Sequence, residues 1–299
     1  MRKILGVYKN GNYRVVMFDD GTKIRVNKLD NLTPAFPESI DMKICNRCDR
    51  QCPMCHECST PDGELADLDA PFLDTLKPYT ELALGGGNPM EHPGLFHFLE
   101  RMRKQKVICN MTVHLEHFKK YYNVLRAATD DGLIHGLGIS VQRPLGDEEL
   151  RMIQSIPNAV IHVIAGLVSM STLRSMSGRG IKLLILGYKL YGRGEQFFTE
   201  YPNGVTSGLH ELEELLPQLK DEFELISFDN LAIWQLHVSN IVSEEQWEKA
   251  YMGNDGQYTM YVDLVKKEYA VSSTSTRHPI VHDNIEDMFA SVRQMSGHQ

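Results

Sequence analysis

Alternation of apolar and polar positions near the start of the chain predicts a small β structure. Apolar side chains recur about every second position along residues 13–18 and again along residues 22–26. Asp20 and Gly21 lie between these two runs, and Asp-Gly is a strong hairpin signal because glycine readily adopts the positive φ of a tight turn. We therefore expect an N-terminal β-hairpin appendage over residues 1–35.

Between residues 36 and 232, short apolar runs alternate with amphipathic segments. The runs have the length of buried strands and lie at 39–44, 80–84, 107–114, 136–141, 159–164, 182–186 and 225–228. The spacing of apolar residues between them predicts helices at 69–77, 93–104, 119–129, 146–155, 169–177 and 209–219. Alternating strands and helices predict an α/β fold with a parallel sheet, and periodicity alone favours neither an open sheet nor a barrel.

The last part of the chain has a different pattern. Two strand-like runs, 258–263 and 268–272, flank Lys266 and Lys267 and predict an antiparallel hairpin, and residues 285–295 have helical spacing. We expect three parts: the N-terminal β appendage (1–35), a central α/β domain (36–232) and a C-terminal extension (233–299).

Composition limits the functions that this chain can have. With 299 residues, of which 42% are hydrophobic, it can bury a full core. A formal net charge of −8 offers no general attraction to nucleic-acid phosphates. The longest apolar runs are far shorter than the ~20 residues that a membrane-spanning helix needs. The sequence therefore predicts a soluble protein without a nucleic-acid or membrane partner.

Five of the six cysteines lie between positions 45 and 58. Within this stretch Cys48, Cys52 and Cys55 have the spacing C-x3-C-x2-C. Three soft thiolates on one short loop can ligate three irons of a cubane cluster and leave the fourth iron free for another ligand. The spacing therefore favours a catalytic iron–sulfur site.

Two other uses of these cysteines have to be considered. Cys45 with Cys48, and Cys55 with Cys58, form two C-x2-C pairs that could hold a structural zinc, although zinc modules usually separate their pairs by more residues. A disulfide framework is less favoured, because the chain is long, lacks an N-terminal apolar signal segment and concentrates its cysteines in one place. Because cysteines stay reduced in the cytoplasm, free thiols in this pattern predict a cytoplasmic protein.

A glycine run follows the second predicted strand of the central domain. Gly85, Gly86 and Gly87 precede Asn88 and Pro89, and residues without Cβ let a bound molecule approach the backbone closely. The carboxyl ends of parallel strands share one edge of a sheet. We therefore expect the glycine run and the cysteine loop to lie side by side.

The strand, the C-x3-C-x2-C loop and the Gly-Gly-Gly-Asn-Pro run together resemble the radical S-adenosylmethionine (radical SAM) superfamily over about residues 36–232. The resemblance implies a partial (β/α)6 TIM-like barrel, which the C-terminal extension closes. It also implies that Cys48, Cys52 and Cys55 hold a [4Fe-4S] cluster. That cluster would reductively cleave SAM to a 5′-deoxyadenosyl radical that abstracts hydrogen from a substrate. Flavodoxin or ferredoxin is the implied kind of electron donor.

The resemblance also implies the residues that contact SAM. The glycine run with Asn88 would bind its amino group, Ser140 and Gln142 its ribose, and Met54 takes a place that is often aromatic in the family and rests on adenine. The remaining implied adenine contacts are Gly166, Leu186, Gly187 and Tyr188.

The sequence does not name a substrate. Asn110, Thr112 and His114 alternate along one strand and therefore share a face, which makes them candidates for a substrate pocket. Beyond Cys58 only Cys109 remains, so an auxiliary cluster is not expected. Three classes of protein stay open: a radical SAM enzyme, a zinc-stabilised binding protein, and a cluster-binding protein without catalysis.

Overall fold

The structure is a computed structural model that describes residues 3–27 and 31–297. Residues 1, 2, 28–30, 298 and 299, which belong to the predicted N-terminal and C-terminal parts, lie outside the described residues. Three strands, β1 (Ile4–Asn10), β2 (Tyr13–Phe18) and β3 (Lys23–Val26), form a small antiparallel sheet. The predicted hairpin is confirmed as β2 and β3, and Gly21 in its turn has φ +85°.

A second, ten-stranded sheet is mostly parallel and carries the rest of the fold. All seven strands predicted for the central domain are present, and they pair in chain order, each parallel to the next. Their bounds are β4 (Ser39–Cys45), β5 (Glu81–Gly86), β6 (Ile108–His114), β7 (Gly136–Ser140), β8 (Ala159–Ile164), β9 (Lys182–Leu186) and β10 (Leu225–Phe228). The chain therefore has a mixed α/β fold.

The predicted C-terminal hairpin is also confirmed, and it extends the same sheet. Strand β11 (Thr259–Asp263) pairs antiparallel with β12 (Glu268–Ala270), which pairs with β13 (His278–Pro279). The other edge of β11 lies parallel to β4. The strand that leads into the cysteine loop is therefore flanked by β5 on one side and by a strand from the C-terminal part on the other.

Helices connect and cover the strands. They are α1 (Leu95–Lys104), α2 (Leu115–Lys120), α3 (Tyr122–Asp130), α4 (Asp147–Gln154), α5 (Met170–Met176), α6 (Arg193–Glu200), α7 (Pro202–Leu219), α8 (Asn230–Gln235), α9 (Glu244–Ala250) and α10 (Ile285–Met295). Short 3-10 turns occur at Pro71–Thr75, Pro89–Glu91 and Val238–Asn240. No helix in the described ranges combines the length and apolarity that crossing a membrane requires.

Three of the predicted helices differ from the structure, and the one expected at 209–219 begins earlier, at Pro202. The helix expected at 69–77 is only the 3-10 turn Pro71–Thr75. The helix expected at 119–129 is two helices, α2 and α3, because the backbone leaves the helical region at Tyr121 (φ −108°, ψ 16°). Helices α6, α8 and α9 were not predicted, since six to eight residues hold too few apolar positions to show a period.

The two faces of the large sheet have different environments. In β6 and β9 every second side chain is buried, and these buried residues join the hydrophobic core beneath the helices. The alternate residues are half-buried, and those towards the carboxyl ends of the two strands line a cavity of about 380 Å³. Residues on this face that line the cavity include Asp41, Thr112, His114, His162 and Leu184.

A buried ion pair connects the small sheet to the main body. The Arg25 guanidinium donates two hydrogen bonds, of 2.9 and 3.0 Å, to the Glu38 carboxylate just before β4. Tyr13 also donates to Glu38, and the Arg25 guanidinium stacks 3.7 Å from the centre of the Tyr258 ring. The junction of the two sheets therefore includes a specific polar cluster centred on the Glu38 carboxylate.

Candidate functional site

The cysteine loop leaves β4 at Cys45 and folds back on itself. Cys48 N–H donates to the Thr60 carbonyl, Thr60 N–H to the Asn46 carbonyl, and Asn46 N–H to the Glu64 carbonyl, at 2.8 to 3.1 Å. These bonds close the base of the loop, so the residues from Cys48 to Cys58 project together from the carboxyl end of β4.

The three thiols of the C-x3-C-x2-C spacing lie in one place. Cys48, Cys52 and Cys55 are free, half-buried and line the same cavity. Burial raises the pKa of the Cys48 thiol. The side-chain amide of Gln142 reaches to 3.7 Å from Cys52 Sγ and 3.9 Å from Met54 Sδ. The loop thus presents three sulfur atoms to a space bounded by the ends of β4, β5 and β7.

The other cysteines have different surroundings. Cys45 is fully buried, and its Sγ accepts a 3.2 Å hydrogen bond from Arg47 N–H. Cys58 is exposed, has φ +51° and packs against Gly192. Cys109 lies in the core, where burial raises its pKa to about 12. None of these three lines the cavity among the described residues.

The thiol arrangement is not that of a closed four-thiolate zinc site. Sulfurs around a tetrahedral zinc lie about 3.8 Å apart. In the described part of the chain, one group of three or more His, Cys, Asp or Glu side chains has all its ligand atoms within 4.8 Å of one another, and it consists of Cys48, Asp49 and His117. This group holds a single thiol, and its His117 Nε2 is already 2.6 Å from Asp49 Oδ1.

The glycine run lies against the base of the cysteine loop, as the sequence predicts. Gly86 has φ +107°, and a Cβ built there would come within 2.3 Å of the Cys45 carbonyl oxygen. A Cβ on Gly87 would come equally close, 2.3 Å, to the carbonyl oxygen of Arg47. A Cβ on Gly85 would meet nothing within 4 Å. Gly86 and Gly87 therefore permit the contact of the two loops, whereas Gly85 opens the cavity.

Most of the site residues predicted from the sequence share the cavity lining. The lining includes Cys48, Cys52, Met54, Cys55, Gly85, Gly86, Gly87, Thr112, His114, Ser140, Gln142 and Leu186. His114 also caps α2, since its Nδ1 accepts a 3.1 Å hydrogen bond from Glu116 N–H. Burial lowers the pKa of His114 to about 4, so the ring is neutral at pH 7.

Five predicted residues lie elsewhere, beside the lining. Asn88 is buried and its side chain accepts from Met90 N–H and donates to Glu91. Asn110 lies two residues before Thr112 in β6, against Gly136. Of the other three, Gly166 lies against Gly208 of α7, Gly187 N–H donates to the carboxylate of Asp229, and Tyr188 N–H donates to the side-chain oxygen of Gln235.

A charged network beside the cysteine loop was not predicted from the sequence. Lys43 is buried on β4, and its Nζ lies 2.8 Å from Glu57 and 3.4 Å from Asp263. Tyr261 donates a 3.1 Å hydrogen bond to Glu57. Burial alone would raise the pKa of Glu57, but its hydrogen bond with His56 and the charge of Lys43 hold that pKa well below its usual value. The network fixes the exit of the cysteine loop to β4 and β11.

The only sequence signals for this network were two local irregularities. Lys43 interrupts an otherwise apolar strand, and His56 and Glu57 follow directly after the third cysteine of the motif. Neither pattern identifies its partner, because Asp263 and Tyr261 lie in a strand far along the chain.

Two further charged side chains, Asp41 and Lys189, also face the cavity. Asp41 is accessible from the cavity although protein surrounds it, and removal from bulk water raises its pKa to about 6. Lys189 Nζ donates a 2.8 Å hydrogen bond to the Ser273 hydroxyl and lies 3.4 Å from His56 Nε2. These groups place both signs of charge in the part of the cavity next to the C-terminal strands.

Comparison with known proteins rests on structure. No protein-family model matches the sequence, and no curated protein matches it. The crystal structure of Streptococcus suis SuiB bound to the precursor peptide SuiA matches with a TM-score of 0.60 and 11% identity, over 97% of this chain and 88% of that one. SuiB bound to S-adenosylmethionine matches with a TM-score of 0.57, 11% identity and the same coverage, 97% and 88%.

This chain has the fold of SuiB. A third structure, SuiB crystallised without a named ligand, gives a TM-score of 0.58 at 10% identity, over 95% of this chain and 86% of that chain. The similarity extends over nearly the whole of both chains, so it includes the small N-terminal sheet and the C-terminal strands as well as the parallel strands.

Proposed function

We propose that this chain is a radical SAM enzyme. The observation that carries the proposal is the shared cavity of Cys48, Cys52 and Cys55 with the glycine run at Gly85–Gly87. SuiB, whose fold the chain shares, has been crystallised with S-adenosylmethionine. In this proposal residues 36–232 form a partial (β/α)6 TIM-like barrel, with an appendage at 1–35 and an extension at 233–299 that closes it.

The residues present fit the proposed cofactors. The donor set is three free thiols, which suits iron–sulfur chemistry, and the two cysteines that would complete a zinc site are turned away from the cavity. Beside them the Gly85 backbone offers open space where any other residue would place a side chain. A [4Fe-4S] cluster held by Cys48, Cys52 and Cys55, with SAM next to it, therefore suits this lining.

When bound, the reduced cluster supplies the electron that cleaves SAM to methionine and a 5′-deoxyadenosyl radical, which abstracts hydrogen from the substrate. The protein's residues would orient SAM and the substrate and enclose them. Gln142 and Met54, which are within 3.9 Å of each other, would cover the nucleoside end of SAM, together with Ser140 and Leu186. Asn88 would act indirectly, by holding the turn after the glycine run. Gly166, Gly187 and Tyr188 would support the adenine side from behind.

The proposed reaction also needs a substrate and an electron donor. Neutral His114 and Thr112 would contact the substrate from β6, with Asn110 supporting them from the same strand face. The reaction needs an electron donor such as flavodoxin or ferredoxin. Oxygen-sensitive thiolate chemistry suits a cytoplasmic location.

The deciding experiment is anaerobic reconstitution with iron and sulfide, followed by reduction with dithionite in the presence of SAM. We expect four irons per chain and the formation of 5′-deoxyadenosine, measured by mass spectrometry, and neither in Cys52→Ala. An intact cluster without 5′-deoxyadenosine would instead support a cluster-binding protein without catalysis. Stoichiometric zinc that is lost on replacement of Cys45 or Cys58 would support the zinc-stabilised binding protein.

A further inference from the structure

Asp41 and Lys189 are charged groups without a partner of opposite charge. Among the described residues, the Asp41 carboxylate has no hydrogen bond and no ion pair within 4.0 Å, and Lys189 Nζ has no carboxylate within that distance. Both side chains line the cavity. Asp41 is exposed to the cavity and Lys189 is half-buried, so both charges are within reach of a bound molecule.

The neighbouring charges are satisfied within the protein. Lys43 is paired with Glu57 and Asp263. Asp229 accepts hydrogen bonds from Gly187 N–H and Ala232 N–H, both at 2.8 Å. Asp255 accepts one from the Asn230 amide at 2.6 Å. Asp41 therefore lies among partnered groups and is itself left free, on the side of the sheet that faces the cavity.

Asp41 and Lys189 interact electrostatically but form no ion pair. The positive charge of Lys189 counteracts the rise in the pKa of Asp41 that its removal from water causes, while Asp229 and Asp255 add to that rise. The distance between Asp41 and Lys189 nevertheless exceeds the 4.0 Å of an ion pair, since the two form none. A gap between opposite charges across a cavity fits a molecule that carries the complementary charges at its two ends.

Lys189 is held in place by the C-terminal part of the chain. Ser273, which accepts its hydrogen bond, follows β12 and is itself buried. The Lys189 ammonium group is thus held at the cavity lining, three residues after β9 ends. The backbone of Asp41 is held in β4 between β5 and β11.

We propose that this cavity takes a small zwitterionic substrate, with its ammonium group at Asp41 and its carboxylate at Lys189. This inference rests on the proposed radical SAM function for the reaction, and on Asp41 and Lys189 alone for the recognition. Each charge-assisted contact provides affinity and, because a ligand with one charge makes only one of the two contacts, selectivity as well.

The test measures binding to the full chain, with and without saturating SAM, by ligand-observed NMR and calorimetry. The probes are the unbranched ω-amino acids from 3-aminopropanoate to 8-aminooctanoate, and each is compared with the alkylamine and the carboxylate of the same length. We expect one length to bind roughly tenfold or more tighter than either singly charged analogue, as one charged hydrogen bond contributes.

Variants assign the two ends. Asp41→Asn should lower the affinity of the best ω-amino acid to that of the carboxylate analogue, and Lys189→Met to that of the amine. The exposed Asp62→Asn and Lys266→Met, outside the cavity, should bind like the parent. The proposal is overturned if the ω-amino acids bind no more tightly than the singly charged analogues. It is also overturned if Asp41→Asn binds the best ω-amino acid as tightly as the parent does. Binding of the peptide Gly-Lys-Gly-Glu-Gly in place of every ω-amino acid overturns the small-molecule assignment.

This experiment is independent of radical chemistry. Because binding is measured at equilibrium, a chain that forms no 5′-deoxyadenosine can still bind the zwitterion, and a chain that cleaves SAM can still fail to bind it. The first result would overturn the proposed function alone, and the second would overturn only the substrate class.

Discussion

Gly87 N–H donates a 2.6 Å hydrogen bond to the carbonyl oxygen of Cys45. The next residue, Asn88, makes the same kind of bond to Arg47, at 2.7 Å. Two consecutive backbone bonds thus join the glycine run to the start of the cysteine loop. The two motifs that the sequence shows separately are one structural unit, and a change in either should be felt by the other.

The first prediction separates the two roles of the glycines. Gly86→Ala places a Cβ against the Cys45 carbonyl oxygen at a positive φ, so we expect a loss of roughly 2 kcal/mol or more in the free energy of unfolding and lower iron uptake. Urea denaturation and iron analysis check this.

Gly85 provides the matched control, because its Cβ would meet open space. Gly85→Ala should fold and take up iron like the parent. Gly85→Leu should keep its iron but bind SAM more weakly, since the side chain enters the cavity. Unchanged SAM affinity in Gly85→Leu would remove the glycine run from the SAM site.

The second prediction concerns the five clustered cysteines. Cys48→Ala, Cys52→Ala and Cys55→Ala should each fail to assemble a four-iron cluster, whereas Cys45→Ala and Cys58→Ala should still assemble one. Cys45→Ala should also lose some stability, because its buried thiol fills space and bonds with Arg47. Iron and sulfide analysis with the visible absorption spectrum measures the outcome, and a cluster in Cys52→Ala would contradict the ligand assignment.

The third prediction concerns pH. The folded chain raises the pKa of Asp41 from an ordinary 3.8 to about 6, so the folded state binds this proton more tightly than the unfolded state. Stability attributable to Asp41 therefore falls as the pH rises through this window. Asp41→Asn should be more stable than the parent at pH 8, by roughly 1–2 kcal/mol after allowance for solvent in the cavity, and the difference should shrink towards pH 4.

Urea denaturation across this pH range gives the measurement, with the exposed Asp62→Asn as the control. Asp41→Asn that is less stable than the parent at pH 8 would mean that Asp41 contributes to folding, in contrast to a role in recognition.

The fourth prediction concerns the junction of the two sheets. Glu38→Gln leaves the half-buried Arg25 guanidinium without its counter-charge and should cost about 3 kcal/mol of stability, the low end of the range for a buried pair. Glu245→Gln removes half of an exposed helical pair with Lys249 and should cost less than about 0.5 kcal/mol. If the two variants unfold at the same denaturant concentration, the Arg25–Glu38 pair does not hold the small sheet in place.

The fifth prediction separates two roles of His114. Its ring lines the cavity, and its Nδ1 caps α2. His114→Ala removes both, and should cost about 1 kcal/mol of stability, whereas His114→Asn keeps a capping group. We expect both variants to slow substrate turnover more than SAM cleavage without substrate, and only the alanine variant to melt earlier. Parent-like turnover in His114→Asn would restrict His114 to capping.

The strands were predictable because their signal is local. Runs of Val, Ile and Leu such as residues 159–164 and 182–186 identify buried strands wherever they pair. The position of β11 beside β4 was not predictable, since a period of two residues is the same in parallel and antiparallel strands and the partners are far apart in sequence. The break at Tyr121 likewise depends on how α2 and α3 pack, and their combined apolar spacing reads as one helix.

The site divides in the same way. The cysteine spacing and the glycine run are short motifs whose chemistry can be read directly. Asp41, in contrast, lies between Ile40 and Met42 and looks like the solvent side of a strand. Asn110 shares a face with Thr112, as expected, yet the curvature that decides which residues of a face reach the cavity comes from the assembled sheet.

The pairing of β4 with β11 also bears on when the site can be completed during synthesis. The strand that carries the cysteine loop has an unpaired edge until residues 259–263 have left the ribosome, and Tyr261 of that late strand holds Glu57 at the loop's exit. During synthesis, before β11 is available, the cysteine loop lacks the contact between Tyr261 and Glu57. If the proposed cluster is bound, the order of synthesis therefore favours its assembly on the finished chain.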